Sequence, residues 1–480
     1  MASLPCVKCI PAVNSGVLPH QERLRYAFAG SIMRRCATAA STTLALITLP
    51  VFIILTNRVV QRCLCAVAVL NISFQIQKHL FLREEAASLG ALGGLQISLT
   101  NIALAGLLTA WLVGATIRSK SSAVLRGSLG IVTIPAALLL MFYTASLFVA
   151  ADFTLGVFQV FSVLVLFFLY LYIAKTVTSR ADVLFIVRIL LIGLVIQSCL
   201  MLAQAGGLLG EIQFYFIRTM PGTFMDGRVI GTLGSPNAAA AYLAMMMVFS
   251  LGVMLGSVGR ADKCLAGTGF SAAALSLILT ESRGGWISLL VGLATILLIG
   301  WKRAPRKPFA VLLIVLLLLA IPFRGVISER LYGNDNGAAA SRVPMNKVAL
   351  LMIQDHPILG VGANNYSLVM IPYSVRGDLI GAFPYAVHNT YLLTWSEVGI
   401  GGLITLVWFL CAIASQGFKC WQLRDTMFAP LALGCSAAIV GFMVHLNFDI
   451  FRTGAAVDLM WLFGGLVTAM GRLSQTAELR

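Results

Sequence analysis

Between Ser128 and Ala150 the chain reads SLGIVTIPAALLLMFYTASLFVA, and residues 154–174 continue with TLGVFQVFSVLVLFFLYLYIA; neither stretch holds a charged side chain. About 20 apolar residues in a helix cross the hydrocarbon core of a bilayer. Inside that core each backbone N–H and C=O must find a partner within protein, which leaves helices or closed barrels. The runs here have helical length. The whole chain agrees: of its 480 residues 59% are hydrophobic and 11% charged, against about 45–50% and roughly 25% in soluble domains. The fold class is therefore all-α, a polytopic membrane protein, with one membrane domain over 38–480 behind a basic tail at 1–37.

The formal net charge of +16 is the cytoplasmic Lys/Arg excess of a membrane protein rather than a nucleic-acid footprint, and no nucleic-acid partner is expected. The ten cysteines are scattered, and Cys6 and Cys9 form an isolated CxxC with no second pair beside it, a weak metal or redox signal. Lys8, Arg23, Arg25, Arg34 and Arg35 precede the first apolar run. With no small-residue cleavage site after it, this reads as a cytoplasmic tail and a retained helix.

Apolar segments fall at 38–56, 63–78, 97–117, 128–150, 154–174, 183–205, 235–256, 263–281, 285–300, 309–323, 389–415, 428–446 and 455–471. WKRAPRKP at 301–308 carries four basic residues and no acid, and Lys120 with Arg126, Lys175 with Arg180, Arg260 with Lys263 and Lys419 with Arg424 mark further inside loops. About 12 crossings result, with the N-terminal pair the hardest to place. Three outer segments remain: 206–234, the turn 281–284, and the 65-residue stretch 324–388. Loops that long are usually functional. Within the last, SRVPMNKVALLMIQD (341–355) spaces Val343, Val348, Leu351 and Met352 as a surface amphipathic helix does.

The outer segments carry Arg218, Arg228, Arg283, Arg324, Arg330, Arg342, Lys347 and Arg376, and seven of these eight are arginine. Guanidinium binds phosphate in bidentate fashion and stays charged, so an anionic ligand at the outer rim is implied, best a lipid phosphate or pyrophosphate. Arg218, Arg324 and Arg376 are placed to snorkel to headgroups; Arg228, Arg283 and Arg342 sit in tight motifs. Arg228 opens RVIGTLGSPNAAAAYLAM, where Ser235 caps a helix with Pro236 at its first position; a bare helix start explains neither Arg228 nor Asn237. In HNTYLLTWSEVGIGG (388–402), Tyr391, Leu392 and Trp395 fall at helical spacing from His388. Glu397 lies deeper and reads as a buried carboxylate bonded to a neighbouring helix, and Gly399, Gly401 and Gly402 read as a close helix contact. The bland reading of His388 is a helix start; its convergence with three motif arginines points to function. Asp355 and His356 read as a structural turn before Pro357.

RVIGTLGSPNAAAAYL, LTESRGGWISL, SRVPMNKVALLMIQDHPILGVGANNY and HNTYLLTWSEVGIGGL, in this order, resemble the bacterial O-antigen ligase and polysaccharide polymerase superfamily, most strongly over 228–402. The resemblance implies a GT-C-like helical architecture with a large periplasmic loop before the HN helix, in the bacterial inner membrane. It implies an inverting glycosyltransferase that takes a glycan from an undecaprenyl-pyrophosphate-linked oligosaccharide and joins it to a sugar hydroxyl on the periplasmic face. Arg228, Arg283 and Arg342 would hold the pyrophosphate, and His388 would serve the acceptor. Asn237, Lys347, Tyr366, Asn389 and Tyr391 are further candidate contacts in the same motifs, and Lys78 is the nearest candidate for an outer lysine of the ligases.

The physical logic agrees with that resemblance. Preorganised guanidinium groups stabilise charge that accumulates on a departing pyrophosphate, and histidine suits deprotonation of a hydroxyl near neutral pH. Outer carboxylates Asp226, Asp335, Asp355 and Asp378 are dispersed, so neither metal nor other cofactor is expected. The SRVPMNK…GANNY version looks more like the polymerases, with a lipid-linked repeat unit as acceptor and a chain-length regulator as candidate partner. The alternatives are an O-antigen ligase, with lipid A-core as acceptor, and an inorganic-carbon or solute transporter. Transport needs ionisable groups along a mid-membrane path, for which Glu397 and Asp458 are the main candidates.

Overall fold

The computed structural model describes residues 57–117, 130–208, 228–300, 321–332, 342–376, 385–423 and 425–478. Two units divide the chain, Met1–Gln61 and Arg62–Arg480, and the second holds nearly all of the described elements. In chain order the first elements are α1 (Arg58–Phe74), β1 (Gln77–Leu80), α2 (Glu84–Ser88), β2 (Leu95–Ser98), α3 (Leu99–Ile117), α4 (Thr133–Ala145), α5 (Phe153–Thr176), α6 (Arg180–Ala205), α7 (Pro236–Leu255) and α8 (Arg260–Leu279). There follow α9 (Arg283–Gly300), α10 (Arg324–Tyr332), α11 (Arg342–Asp355), α12 (Tyr366–Arg376), α13 (Thr390–Gln422), α14 (Phe428–His445) and α15 (Ala455–Glu478).

Eight of the described helices, α5 to α9 and α13 to α15, are long and apolar enough to cross a membrane. The polytopic α-helical architecture is as the sequence implied. Two further apolar helices are α3 and the stretch Thr133–Val149; the expected span at 38–56, and residues 309–320 of the one expected at 309–323, lie outside the described residues. One expectation is corrected. The apolar run 63–78 is not helical throughout: α1 stops at Phe74, Gln75 turns the chain with φ 55°, and residues 77–80 form a strand. It pairs antiparallel with β2, Gln77 opposite Ser98 and Leu80 opposite Leu95. Gln75 is held there because its Nε2 donates to Asp458 Oδ2 at 2.9 Å.

Helices α7 and α14 form the centre of the bundle, and both are mostly buried by their neighbours. They cross backbone to backbone. A Cβ added to Gly252 would come within 2.8 Å of Gly434 Cα and 2.7 Å of Pro430 O, the close approach that small residues permit between membrane helices. One rim is closed by ion pairs and caps: Arg188 binds Asp262 through Nε at 2.7 Å and Nη2 at 3.1 Å, and Arg180 pairs with Asp425. Arg472 donates to Ala174 O and Val177 O. This is the rim the basic loops mark as inside.

The opposite rim is built around a break in α13. Gly399 has φ 78° and ψ −176°, so the helix parts there into 390–398 and 400–422. The break frees the carbonyls of Ser396 and Glu397 and the N–H of Ile400. All three are taken up by the loop 357–362: Val361 N donates to Ser396 O at 2.9 Å, Gly362 N to Glu397 O at 2.9 Å, and Ile400 N to Pro357 O at 3.0 Å. Trp395 Nε1 also donates to Pro357 O. The motif DHPILGVGANNY is thus a clasp on a broken helix. Its asparagines extend the clasp. Asn364 accepts from Leu92 N and donates to Leu92 O and Leu155 O, and Asn365 accepts from Asp152 N and donates to Asp152 O.

Two further expectations change accordingly. Gly399 does not serve helix packing: a Cβ there would lie 1.8 Å from Ile358 O, because loop backbone fills the gap. Helix α11 occurs where the spacing placed it, but its buried face is Val348, Ala349, Met352 and Ile353, while Val343 is 71% exposed.

Gly399→Ala meets both a left-handed φ and a backbone clash, and should cost about 3 kcal/mol or more. Thermal unfolding in detergent checks this; a variant as stable as the parent would show that the break is not required.

Candidate functional site

The rim site begins at the turn between α8 and α9. Arg228 Nε donates to Thr280 O at 2.7 Å, and its Nη2 reaches Asn237 Oδ1 at 3.4 Å. Ser282 Oγ donates to the same Asn237 oxygen at 2.8 Å. Asn237 is fixed in turn by the start of α7, where Ser235 Oγ accepts from Ala238 N and Pro236 occupies the first turn. Arg283 is the first residue of α9. Three predicted residues, Arg228, Asn237 and Arg283, are therefore brought to one turn, beside the N-terminus of α9 with its partial positive charge.

Helix α14 ends at the same place. A Cβ added to Gly284 would stand 2.9 Å from His445 Nε2, so that imidazole packs on the first turn of α9. His445 is within electrostatic reach of both Asp449 and Arg342, which ties the first residue of α11 to this group. His388 Nε2 lies 3.8 Å from Asp449 Oδ1, with the His388 side chain 27% exposed. That is ion-pair rather than hydrogen-bond distance. The ring of Tyr385 lies against His388 with centroids 5.4 Å apart. Burial pushes the Tyr385 phenol up, Asp449 adds to the shift and Arg452 opposes it.

His388 is not on α13. It precedes the cap residue Asn389, whose Oδ1 accepts from Tyr391 N at 3.0 Å and Leu392 N at 3.1 Å. The helical spacing of His388 with Tyr391 and Trp395 therefore has no structural meaning. What sets His388 beside Asp449 is Thr390: its N–H donates to Leu446 O and its Oγ1 donates to Asp449 O at 2.8 Å, while Phe451 N donates to Thr390 Oγ1. Below them Glu397 and Arg452 form a bidentate pair, Nη1 to Oε2 at 2.5 Å and Nη2 to Oε1 at 2.7 Å. The side chains are 3% and 8% exposed. Glu397 Oε1 also accepts from Tyr366 N at 3.0 Å. The charge partner of Glu397 thus comes from the loop after α14, while its second bond reaches the first residue of a neighbouring helix, α12.

The other candidates are engaged elsewhere or stand apart. Tyr366 is 1% exposed, Tyr391 Oη donates to Met443 O, and Asn389 acts as the cap. Lys347 is exposed on α11. Lys78 is exposed on β1, opposite Ile97. Asp355 accepts from Arg376 at 2.9 Å, so Arg376 is paired within the loop.

Sequence reading missed His445, Asp449 and Arg452. The signal is there in HLNFDIFR (445–452), a polar knot between two apolar spans of a chain that is 11% charged. Fold and rim together describe a polytopic membrane protein that gathers guanidinium groups, two histidines and a carboxylate at one rim. Residues 268–407 match the family model described as O-antigen ligase (Wzy_C), a stretch that includes Arg283, Arg342, His388 and Glu397. No curated protein matches the chain.

Removing one partner of a buried ion pair strands the other. Glu397→Gln and Arg452→Gln should each lose about 3–5 kcal/mol of stability, while the double variant Glu397→Leu/Arg452→Met regains much of it. Losses that simply add in the double variant would contradict the pairing.

Proposed function

We propose that the chain is a membrane glycosyltransferase that moves a glycan from an undecaprenyl-pyrophosphate donor to a sugar hydroxyl. The reaction takes place on the outer, periplasmic face of the bacterial inner membrane. The observation that carries this is the placing of Arg228 and Arg283 at the start of α9, where His445 packs within electrostatic reach of Arg342 and of Asp449, the partner of His388. Cations and a candidate base share one rim, as transfer from a pyrophosphate leaving group to a hydroxyl calls for.

The step follows from those residues. The acceptor oxygen attacks the anomeric carbon as the bond from that carbon to the phosphate oxygen breaks. The pyrophosphate departs with the electron pair, and the guanidinium groups and the α9 terminus stabilise the charge it gains. His388 takes the hydroxyl proton, and Asp449 stabilises the imidazolium that forms. Attack opposite the leaving group inverts the anomeric centre. No step calls on a metal or cofactor.

For the acceptor, the family description favours an O-antigen ligase, with lipid A-core receiving the glycan, over the polymerase that the SRVPMNK…GANNY version suggested. The transporter reading loses support. Glu397 is ion-paired with Arg452, and Asp458, which accepts from Gln75, lies in the first turn of α15 rather than at mid-helix, so the two do not line a mid-membrane path of free charges.

Purified protein in liposomes should consume lipid-linked glycan without an ion gradient. His388→Ala should slow turnover by about 100- to 10,000-fold yet bind donor normally. Arg342→Lys should fail almost as badly as Arg342→Ala, because one ammonium cannot replace a bidentate grip. Product on lipid A-core supports the ligase; a ladder from lipid-linked repeats alone makes it a polymerase. Near-normal turnover by His388→Ala would overturn the base assignment.

A further inference from the structure

His445, the last residue of α14, turns its imidazole inward. The residue is 1% exposed, and neither ring nitrogen has a hydrogen-bond partner among the described residues. Roughly nine in ten buried polar atoms do find one, so this ring calls for a reason. Packing alone does not supply it. The ring meets Phe451 edge to face, with centroids 5.2 Å apart and planes at 78°, and a phenylalanine in its place would make that contact without stranding a nitrogen.

The two nitrogens face different surroundings. Nδ1 is sealed from solvent. Nε2 and Cδ2 lie against α9: a Cβ added to Gly284 would stand 2.9 Å and 3.0 Å from them. That first turn has an open donor of its own. Gly285 N donates to Ser282 Oγ and Trp286 N to Ser282 O, whereas the N–H of Gly284 meets no acceptor among the described residues. Free N–H groups at a helix start draw anions, and here a buried, unpartnered ring nitrogen lies beside one. A neutral imidazole carries a single proton. On Nε2 that proton can reach a ligand at the start of α9; on Nδ1 it reaches nothing.

We propose that His445 is a pyrophosphate-binding residue, its Nε2–H and the N–H of Gly284 together holding a phosphate oxygen of the lipid-linked donor. This deepens the glycosyltransferase reading and rests on it. Both groups are neutral donors, so the contact adds direction to the grip without adding charge to a rim where Asp449 and Arg342 already lie within electrostatic reach of this ring.

The test uses the full chain in detergent, with farnesyl pyrophosphate as probe. His445→Phe keeps the shape of the ring and loses both nitrogens; His445→Gln keeps an N–H donor near the place of Nε2. The phenylalanine variant should melt no lower than the parent, yet bind farnesyl pyrophosphate about 10- to 100-fold more weakly, and the glutamine variant should recover most of that loss. Parental binding by His445→Phe would overturn the proposal, as would equal losses in both variants, which would mark a ring needed for its shape. A His445 that acted through Asp449 on His388 would slow turnover and leave binding unchanged, again against the proposal. Should His445→Phe fail to fold, histidine-selective nitrogen NMR of the parent decides. The His445 Nε2 signal, identified by its loss in His445→Gln, should shift with farnesyl pyrophosphate and not with farnesol; a signal that the pyrophosphate leaves unmoved overturns the proposal. If the parent protein itself binds no farnesyl pyrophosphate, the donor reading fails, a result distinct from the failure of His445 alone.

Discussion

The rest of the site rim depends on the repair of one broken helix. In hydrocarbon or at its edge, a freed carbonyl or N–H costs several kcal/mol if left unpaired. The break at Gly399 frees three such groups, and the loop 357–362 satisfies all three with its own backbone. That requirement locates the loop more firmly than its apolar side chains could. Once it is located, Asn364 and Asn365 carry the constraint to the segment around Leu92 and to the start of α5. A long connection thereby becomes a plug with a fixed place.

The same break makes the first half of α13 a short, separately anchored piece. Residues 390–398 are tied to the loop after α14 through Thr390 and through the Glu397–Arg452 pair. His388, just ahead of this piece, is consequently positioned by backbone and buried ion-pair geometry rather than by the tilt of a full-length membrane helix. The arginines are mounted differently. Arg228 and Arg330 hang from carbonyls of a tight turn, and Arg283 begins a helix beside them. A histidine on one anchored piece and cations on another are fixed before any ligand arrives, the preorganisation that the proposed transfer calls for.

Much of this was legible in the sequence. The spans could be read because an uncharged run of helical length has few alternatives in a bilayer, and α5, α6, α7 and α8 begin and end close to where the apolar segments do. The three arginines and Asn237 were legible because polar groups are scarce in such a chain. The break was not. A glycine in SEVGIGG looks the same whether it lets a helix approach or adopts φ 78°, and only the loop that fills the gap tells them apart. Asp449 and Arg452 were passed over for a related reason: their partners, His388 and Glu397, lie far off in sequence. The face of α11 was misjudged at Val343, since spacing alone cannot say which turn of a helix packs. His388 was singled out on a helical face that it does not occupy.

The central claim is spatial: one rim holds the donor pyrophosphate among the arginines with the acceptor oxygen beside His388 and Asp449. Electron cryomicroscopy of His388→Ala incubated with a lipid-linked glycan donor tests it most directly. Diphosphate density is expected between the 280–283 turn and Arg342, with the first sugar directed toward residue 388 and Asp449. Diphosphate density elsewhere, such as in the apolar groove beside His356 and Ile358 or at the basic rim near Arg188 and Arg472, would contradict it.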